Sequence, residues 1–105
     1  MGDEEREETA KMKIRWFSEA CNDLVEIRNY IGNDNPKAAR EVAKRIKESV
    51  SSLADYPGKG RPGRVEGTRE LVVAGLPYII PYRVRNNAIE ILRVLHGSME
   101  WPEEL

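Results

Sequence analysis

Cysteine and histidine are almost absent from this chain, which contains one of each, Cys21 and His96. One cysteine cannot form an intrachain disulfide, and these two residues cannot supply the several thiolate and imidazole ligands of a zinc site. The carboxylates show no spacing typical of an oxygen-ligated metal site. We therefore expect no metal site, and we interpret Cys21 as a small, partly buried helix residue rather than a nucleophile.

Long apolar runs are also missing. No stretch approaches the roughly 20 apolar residues that span a bilayer, and the N-terminus is acidic, unlike a secretory signal. We therefore expect a cytoplasmic protein without a membrane contact. A length of 105 residues is enough for one sheet covered by one or two helices, but it is too short for two cores.

The formal net charge of −1 conceals an uneven distribution of charge. Residues 1–11 hold five acidic and two basic residues, which leaves 13 acidic and 15 basic residues, a formal charge of +2, in the rest of the chain. The first segment has too few apolar side chains to offset the entropy lost on ordering. We predict a flexible acidic extension over residues 1–11 and a single, mildly basic domain over residues 12–105.

The first half of the domain predicts a strand and a helix. Residues 12–17 alternate apolar and polar side chains, which is typical of a half-buried strand. Ser18 is suited to cap the helix that follows. Apolar spacings of three and four define its buried stripe, which consists of Ala20, Leu24, Ile27 and Ile31.

A second helix is predicted to begin at Pro36, with Asn35 or Asp34 as its cap, and to run to about Tyr56. The short connection makes the two helices an antiparallel hairpin. A glycine-rich loop follows over residues 58–68, and it is either an exposed connector or a basic loop that grips phosphates or an acidic partner. Its cations, with the residue that follows it, are Lys59, Arg61, Arg64 and Arg69.

Residues 69–102 predict three consecutive antiparallel strands, separated by turns near Gly75 and at Asn86-Asn87. Two asparagines tolerate positive φ and suit a two-residue primed turn, so Arg85 should face Ala88 and Tyr78 should face Leu95. The predicted core face is Tyr78, Ile80, Tyr82, Val84, Ile89, Ile91 and Leu95, with Arg93 among them. The opposite, mixed face is Ile79, Pro81, Arg83, Glu90, Leu92, Val94 and His96.

Two charged residues of these strands need partners. Arg83 lies opposite Glu90 in this register, so we expect an ion pair between the strands. Arg93 on the core face would be costly alone, because a buried guanidinium needs compensation. We predict a structural ion pair with Glu70, Glu19 or Asp23, or else a bulge that turns Arg93 outward. The fold class is therefore α+β, with a helical hairpin on one face of the sheet.

Several stretches now combine in one chain: GRPGRVEGTRELVV, LPYIIPYRV and ILRVLHGSMEWP. With the order of elements, they resemble the RelE/ParE superfamily of bacterial toxins from type II toxin–antitoxin modules, over residues 12–102. The resemblance implies a cytoplasmic growth inhibitor that needs no cofactor and forms a hetero-oligomer with a cognate antitoxin. It also implies one of two activities, because this fold hosts both ParE-like inhibitors of DNA gyrase and RelE-like endonucleases that cut mRNA on the ribosome.

The residues favour the ParE-like branch. The arginine that follows the first tyrosine of the RelE-like strand motif is replaced by Ile79, and the basic residue after the last strand falls near Met99. If the chain is a nuclease, His96 and Arg83 are the candidate catalytic residues, since only His96 titrates unperturbed near neutral pH. For either target, gyrase or ribosome-bound mRNA, we predict a binding surface of Lys59, Arg61, Arg64, Arg69, Arg83 and His96.

Overall fold

The computed structural model describes residues 11–105, in which two helices pack on one face of a mixed sheet. The helices are α1 (Ser18–Gly32) and α2 (Pro36–Ser51). The strands are β1 (Lys13–Trp16), β2 (Arg61–Pro62), β3 (Arg69–Val72), β4 (Tyr78–Arg85), β5 (Ala88–Ile91) and β6 (Leu95–His96). The acidic extension lies almost wholly outside the described residues, so the proposed boundary after residue 11 stays a prediction.

The sheet has the order β1-β5-β4-β3-β2, and β6 also pairs with β4. The strands β3, β4 and β5 form the predicted antiparallel meander. The first strand returns to lie parallel to β5, with Lys13 opposite Ala88. The α+β class and the helical hairpin on one face are confirmed. None of the described helices is long and apolar enough to cross a membrane.

The two helices begin differently. The side chain of Asn35 caps α2, because its Oδ1 accepts a hydrogen bond from the amide of Ala38 at 3.0 Å. The predicted cap at Ser18 is wrong, since Ser18 is already the first helical residue and the capping position has no side-chain bond. The second helix also ends earlier than predicted, at Ser51, and a 3₁₀ turn over Ser52–Ala54 completes it.

The turn between β4 and β5 has the predicted geometry. Asn86 and Asn87 have φ of 55° and 59°, the left-handed values that a two-residue primed turn requires. The pairs Arg85 with Ala88 and Arg83 with Glu90 are both observed, so the predicted register of this hairpin is confirmed.

Beyond β5 the predicted register is wrong by one residue. Tyr78 lies opposite His96 rather than Leu95, which pairs with Ile79 instead. The strand ends at Ile91, and the amide of Leu92 donates to the carbonyl of Pro81 at 3.0 Å. The extra residue is a bulge, and it exchanges the two faces of everything that follows, because side chains alternate along a strand.

The core lies between the sheet and the helices. The bulge brings Val94, predicted on the mixed face, into this core. Val84, predicted as a core residue, is 47% exposed and lies two residues before the turn that begins at Asn86. The core cluster is Ala20, Ile46, Val50, Leu53, Leu71, Val73, Tyr78, Ile80, Tyr82, Ile89, Ile91 and Val94.

Candidate interaction surface

The sheet face opposite the helices, here called the open face, holds a buried carboxylate surrounded by three arginines. Glu90 is only 2% exposed, and its Oε1 accepts from Nε of Arg83 at 2.5 Å. Arg85 Nε lies 3.6 Å from the same oxygen, and Arg15 Nη1 lies 3.6 Å from Oε2. We call these four residues the Glu90 cluster.

The three guanidiniums decide the charge of Glu90. The hydrogen bond from Arg83 is the main cause that holds the pKa of Glu90 below its usual value, against the opposing effect of burial, and Arg85 and Arg15 add to it. The carboxylate is therefore ionised at neutral pH. One negative charge faces three positive charges, so the Glu90 cluster carries a net charge of about +2.

A second buried carboxylate organises the basic loop. Glu70 is 3% exposed and lies opposite Arg61 in the pairing of β2 with β3. Its Oε1 accepts from Arg61 Nη2 at 3.1 Å, and its Oε2 accepts from the amide and Nε of Arg64 at 2.9 and 3.2 Å. Burial alone would raise the pKa of Glu70, but the Arg64 amide and both guanidiniums outweigh it and lower the pKa.

The other loop cations also have structural partners. Arg69 Nη1 donates to the carbonyl of Gly60 at 2.7 Å, and Lys59 Nζ lies 3.2 Å from Ser52 Oγ. Arg64 stacks on Trp101, with 3.6 Å between its Cζ and the ring centroid. The half-buried ring of Trp101 therefore lies against this loop. The contacts of its own cations therefore stabilise the conformation of this loop.

His96 lies away from the other predicted site residues. The bulge places it opposite Tyr78, and the two rings meet edge to face with centroids 5.7 Å apart. Its Nδ1 accepts from the amide of Ser98 at 3.1 Å. His96 lines a cleft of about 290 Å³ beside α1, together with Tyr30. His96 and Arg83 therefore lie on opposite faces of the sheet, and the predicted binding residues do not form one surface.

Some residues of the open face were missed in the sequence. Arg15 joins the Glu90 cluster because β1 pairs in parallel with β5, and Arg15 lies opposite Glu90. Nothing in the chain order revealed that long-range pairing. Arg85 could have been found, because it is two residues from Arg83 in the correctly predicted hairpin and so shares its face.

A groove of about 470 Å³ on the helical side was also missed. We call it the helical groove, and it is lined by Trp16, Cys21, Leu24, Val25, Arg28, Lys47 and Ser51. Cys21 is exposed there, so its predicted partial burial is wrong. Among residues 11–105, no group of His, Cys, Asp and Glu side chains is arranged to hold a metal ion.

Comparison with known proteins gives a consistent result for this fold. The model of the family described as "ParE toxin of type II toxin-antitoxin system, parDE" matches residues 14–101. The chain belongs to the ParE toxin family. It is the toxin of a type II toxin–antitoxin system, as the sequence resemblance implied.

Relatives and solved structures agree with this family. The toxin is 49% identical over 96 residues to "Putative toxin Y4kP" of Sinorhizobium fredii, covering 91% of this chain and 99% of that protein. It is 41% identical over 86 residues to "Toxin RelE2" of Caulobacter vibrioides, covering 82% and 96% of the two chains.

Among solved structures, a chain of the chromosomal ParDE toxin–antitoxin system from P. aeruginosa superposes with a TM-score of 0.77 and 31% identity. The match covers 82% of this chain and 96% of that chain. A chain of the RelBE2 toxin–antitoxin complex from Mycobacterium tuberculosis has a TM-score of 0.58 at 23% identity, over 83% and 92% of the two chains. This second likeness shows the shared fold alone.

Proposed function

We propose that this toxin inhibits growth by binding DNA gyrase, and that it is not a ribosome-dependent nuclease. The observation that carries the proposal is the separation of the candidate nuclease groups. His96 lies on the helical side of the sheet opposite Tyr78, whereas Arg83 lies on the open face against Glu90. A gyrase-directed toxin needs a binding surface and does not need these groups to converge.

An RNA-cleaving site has stricter requirements. A base for the 2′-hydroxyl, an acid for the leaving group and a cation for the phosphate must meet around one bond. The remaining candidate cations, Arg61 and Arg64, are hydrogen-bonded to Glu70. This arrangement supports a binding mode of action over a nucleolytic one.

Two assays on the purified toxin separate these activities. Inhibition of supercoiling by gyrase, with accumulation of cleaved DNA, is the expected result. When the toxin is added to ribosomes that are translating an mRNA, primer extension on that mRNA should show no codon-positioned cuts. The variant His96→Ala should keep full inhibition of gyrase. If the unmodified toxin cuts mRNA and His96→Ala does not, the toxin has the RelE-like activity instead.

We also propose where the cognate antitoxin binds, covering the helical groove. The floor of the groove is apolar, with Trp16, Leu24 and the 47% exposed Val25, and its rim carries Arg28 and Lys47. Such a surface suits an amphipathic segment whose apolar side chains enter the groove while acidic side chains meet the rim. The toxin and antitoxin would then form a hetero-oligomer in the cytoplasm, where both candidate targets are found.

The exposed thiol of Cys21 allows a direct test of this binding mode. A fluorophore attached there should change its emission when the antitoxin encoded by the neighbouring open reading frame is added. Val25→Asp should weaken binding at least tenfold, since it places a charge on the apolar floor. The control Val72→Asp changes a residue of similar exposure, 50%, on β3. Equal affinity of the two variants would place the antitoxin elsewhere.

A further inference from the structure

The first helix, α1, separates its charges onto opposite flanks. Its three acidic residues follow one another at spacings of four and three, and a tyrosine continues the row four residues later. One flank therefore carries Glu19, Asp23, Glu26 and Tyr30. The single basic residue of α1, Arg28, lies on the opposite flank and lines the helical groove. A segment that crosses this helix meets opposite charges on its two sides.

The acidic flank borders the cleft of about 290 Å³ beside α1, which we call the tyrosine cleft. Its lining includes Asp23, Glu26, Tyr30, Tyr78 and His96. This volume is at the small end of ligand pockets, so it suits one long side chain rather than a whole helix. Tyr30 is 80% exposed, so the cleft is accessible to a partner.

The charge around the tyrosine cleft is negative. Among residues 11–105, Arg93 is the only arginine or lysine that lines it, and Asp23 binds this guanidinium through two hydrogen bonds. Glu19 and Glu26 form no ion pair within the same residues. Three carboxylates and one guanidinium give a formal net charge of −2. The cleft therefore attracts a cation.

Tyr78 adds a polar group that no other described residue uses. It is only 9% exposed, and its hydroxyl has no hydrogen-bond partner among residues 11–105. Burial is the main cause that raises the pKa of Tyr78, and Tyr30 adds to it, so the hydroxyl stays protonated at neutral pH. Buried hydroxyls nearly always have a partner, and the oxygen of this one can accept an N–H from a ligand.

We propose that the tyrosine cleft binds an arginine side chain of the cognate antitoxin. The N–H donors of a guanidinium match the carboxylate of Glu26 and the hydroxyl of Tyr78, and its flat face can stack on the exposed ring of Tyr30. The inference rests on the proposal that the antitoxin occupies the helical groove, because a segment that leaves the groove reaches the cleft by crossing α1.

The path across α1 is short. A helix with its side chains is about 10 to 12 Å wide, so the path halfway round it is roughly 16 to 19 Å, which five or six extended residues span. One antitoxin segment can therefore place acidic side chains beside Arg28 and an arginine in the tyrosine cleft. The reverse direction would bring like charges together on both flanks. The charges of α1 thus select one direction for the bound segment.

Binding of the antitoxin encoded by the neighbouring open reading frame to full-length toxin variants tests this contact. We expect Glu26→Gln and Tyr30→Ala each to weaken binding about five- to tenfold. The matched controls are Glu41→Gln, at an exposed carboxylate of α2, and Tyr56→Ala, at a tyrosine that is 66% exposed. Both should keep the parent affinity. Calorimetry measures the affinities, and circular dichroism checks that all four variants are folded.

A double-mutant cycle then identifies the arginine. Each arginine of the antitoxin is replaced by glutamine, and its binding is measured to the parent toxin, to Glu26→Gln and to Glu41→Gln. One replacement should weaken binding to the parent and to Glu41→Gln about fivefold or more, yet should scarcely change binding to Glu26→Gln. If no arginine of the antitoxin is coupled to Glu26 in this way, the proposal is wrong.

The variant Val25→Asp distinguishes this inference from the proposal on which it rests. If Val25→Asp weakens binding but Glu26→Gln and Tyr30→Ala do not, the antitoxin occupies the helical groove and the arginine contact is wrong. If only Glu26→Gln and Tyr30→Ala weaken binding, the arginine contact is correct and the groove is not the binding site. If none of the three weakens binding, both proposals are wrong.

Discussion

The carboxylate of Asp23 on α1 binds Arg93 through two hydrogen bonds, from Nε at 2.7 Å and from Nη2 at 3.0 Å. The same carboxylate accepts from the amide of Val94 at 2.9 Å. The bond to Asp23 is the main cause that raises the pKa of Arg93. One side chain therefore joins the first helix to the bulge that follows β5.

We expect Asp23→Ala to destabilise the toxin by about 2 to 3 kcal/mol, because it leaves a partly buried guanidinium and an amide without their acceptor. Thermal unfolding followed by circular dichroism measures the change. Glu41→Ala removes an exposed carboxylate from α2 and should alter stability by no more than about 0.5 kcal/mol. If both variants melt alike, Asp23 is not the link between these elements.

The Glu70 carboxylate should make stability depend on pH. Its pKa in the folded protein is below the ordinary value of 4.5. Its contribution to the free energy of unfolding is therefore complete above about pH 4.5, and it is lost as the pH falls through the folded pKa. At pH 7, Glu70→Gln should be less stable by about 2 kcal/mol, since it loses charge-assisted bonds to Arg61 and Arg64. The difference in stability between Glu70→Gln and the parent protein should become steadily smaller as the pH is lowered.

Urea unfolding at a series of pH values between neutral and pH 3 measures this profile. The exposed loop residue Glu66 supplies the control, because Glu66→Gln should leave the pH profile of the parent protein unchanged. A constant difference between Glu70→Gln and the parent across the whole range would mean that ionisation of Glu70 contributes nothing.

The sequence was sufficient for local structure and for pairings close along the chain. Asn86-Asn87 set the turn, and the turn set the pairs from Arg85 with Ala88 to Tyr82 with Ile91. The ion pair between Arg83 and Glu90 followed from that register. Asp23 was one of three partners expected for Arg93, and the structure selects it.

Contacts between residues that are far apart in the chain could not be predicted from the sequence. The bulge lies between the pair of Tyr82 with Ile91 and the pair of Ile79 with Leu95, and no residue type in the segment 92–94 predicts it. One extra residue places His96 on the other face of the sheet from Arg83, so the two candidate nuclease groups are separated. The parallel return of β1 beside β5, which brings Arg15 to Glu90, likewise depends on tertiary packing.

The buried hydroxyl of Tyr82 connects the sheet to the basic loop. It donates to the carbonyl of Pro57 at 2.7 Å and accepts from the amide of Gly60 at 2.9 Å. A Cβ at position 60 would lie 2.7 Å from the Tyr82 ring, so this close approach requires glycine.

Tyr82→Phe keeps the ring but leaves both backbone groups without a partner, and we expect a loss of about 1 to 3 kcal/mol. Hydrogen exchange should also become faster at the Gly60 amide. Tyr30 is 80% exposed, so Tyr30→Phe is the matched control and should change neither quantity. Unaltered protection of Gly60 in Tyr82→Phe would show that the loop does not depend on this hydroxyl.

The turn at Asn86-Asn87 can be tested by exchanging the residue at position 87, where φ is 59°. Glycine adopts this conformation without strain, so Asn87→Gly should keep the stability of the parent to within about 0.5 kcal/mol. Valine resists left-handed φ because its branched Cβ approaches the backbone, so Asn87→Val should cost about 1 to 2 kcal/mol. Asn33 has φ of −58°, and Asn33→Val controls for the effect of valine itself, because this φ is within the range open to any residue. Denaturant unfolding ranks the three variants, and a loss at position 33 equal to that at position 87 would mean that the left-handed φ of Asn87 does not account for the cost of valine there.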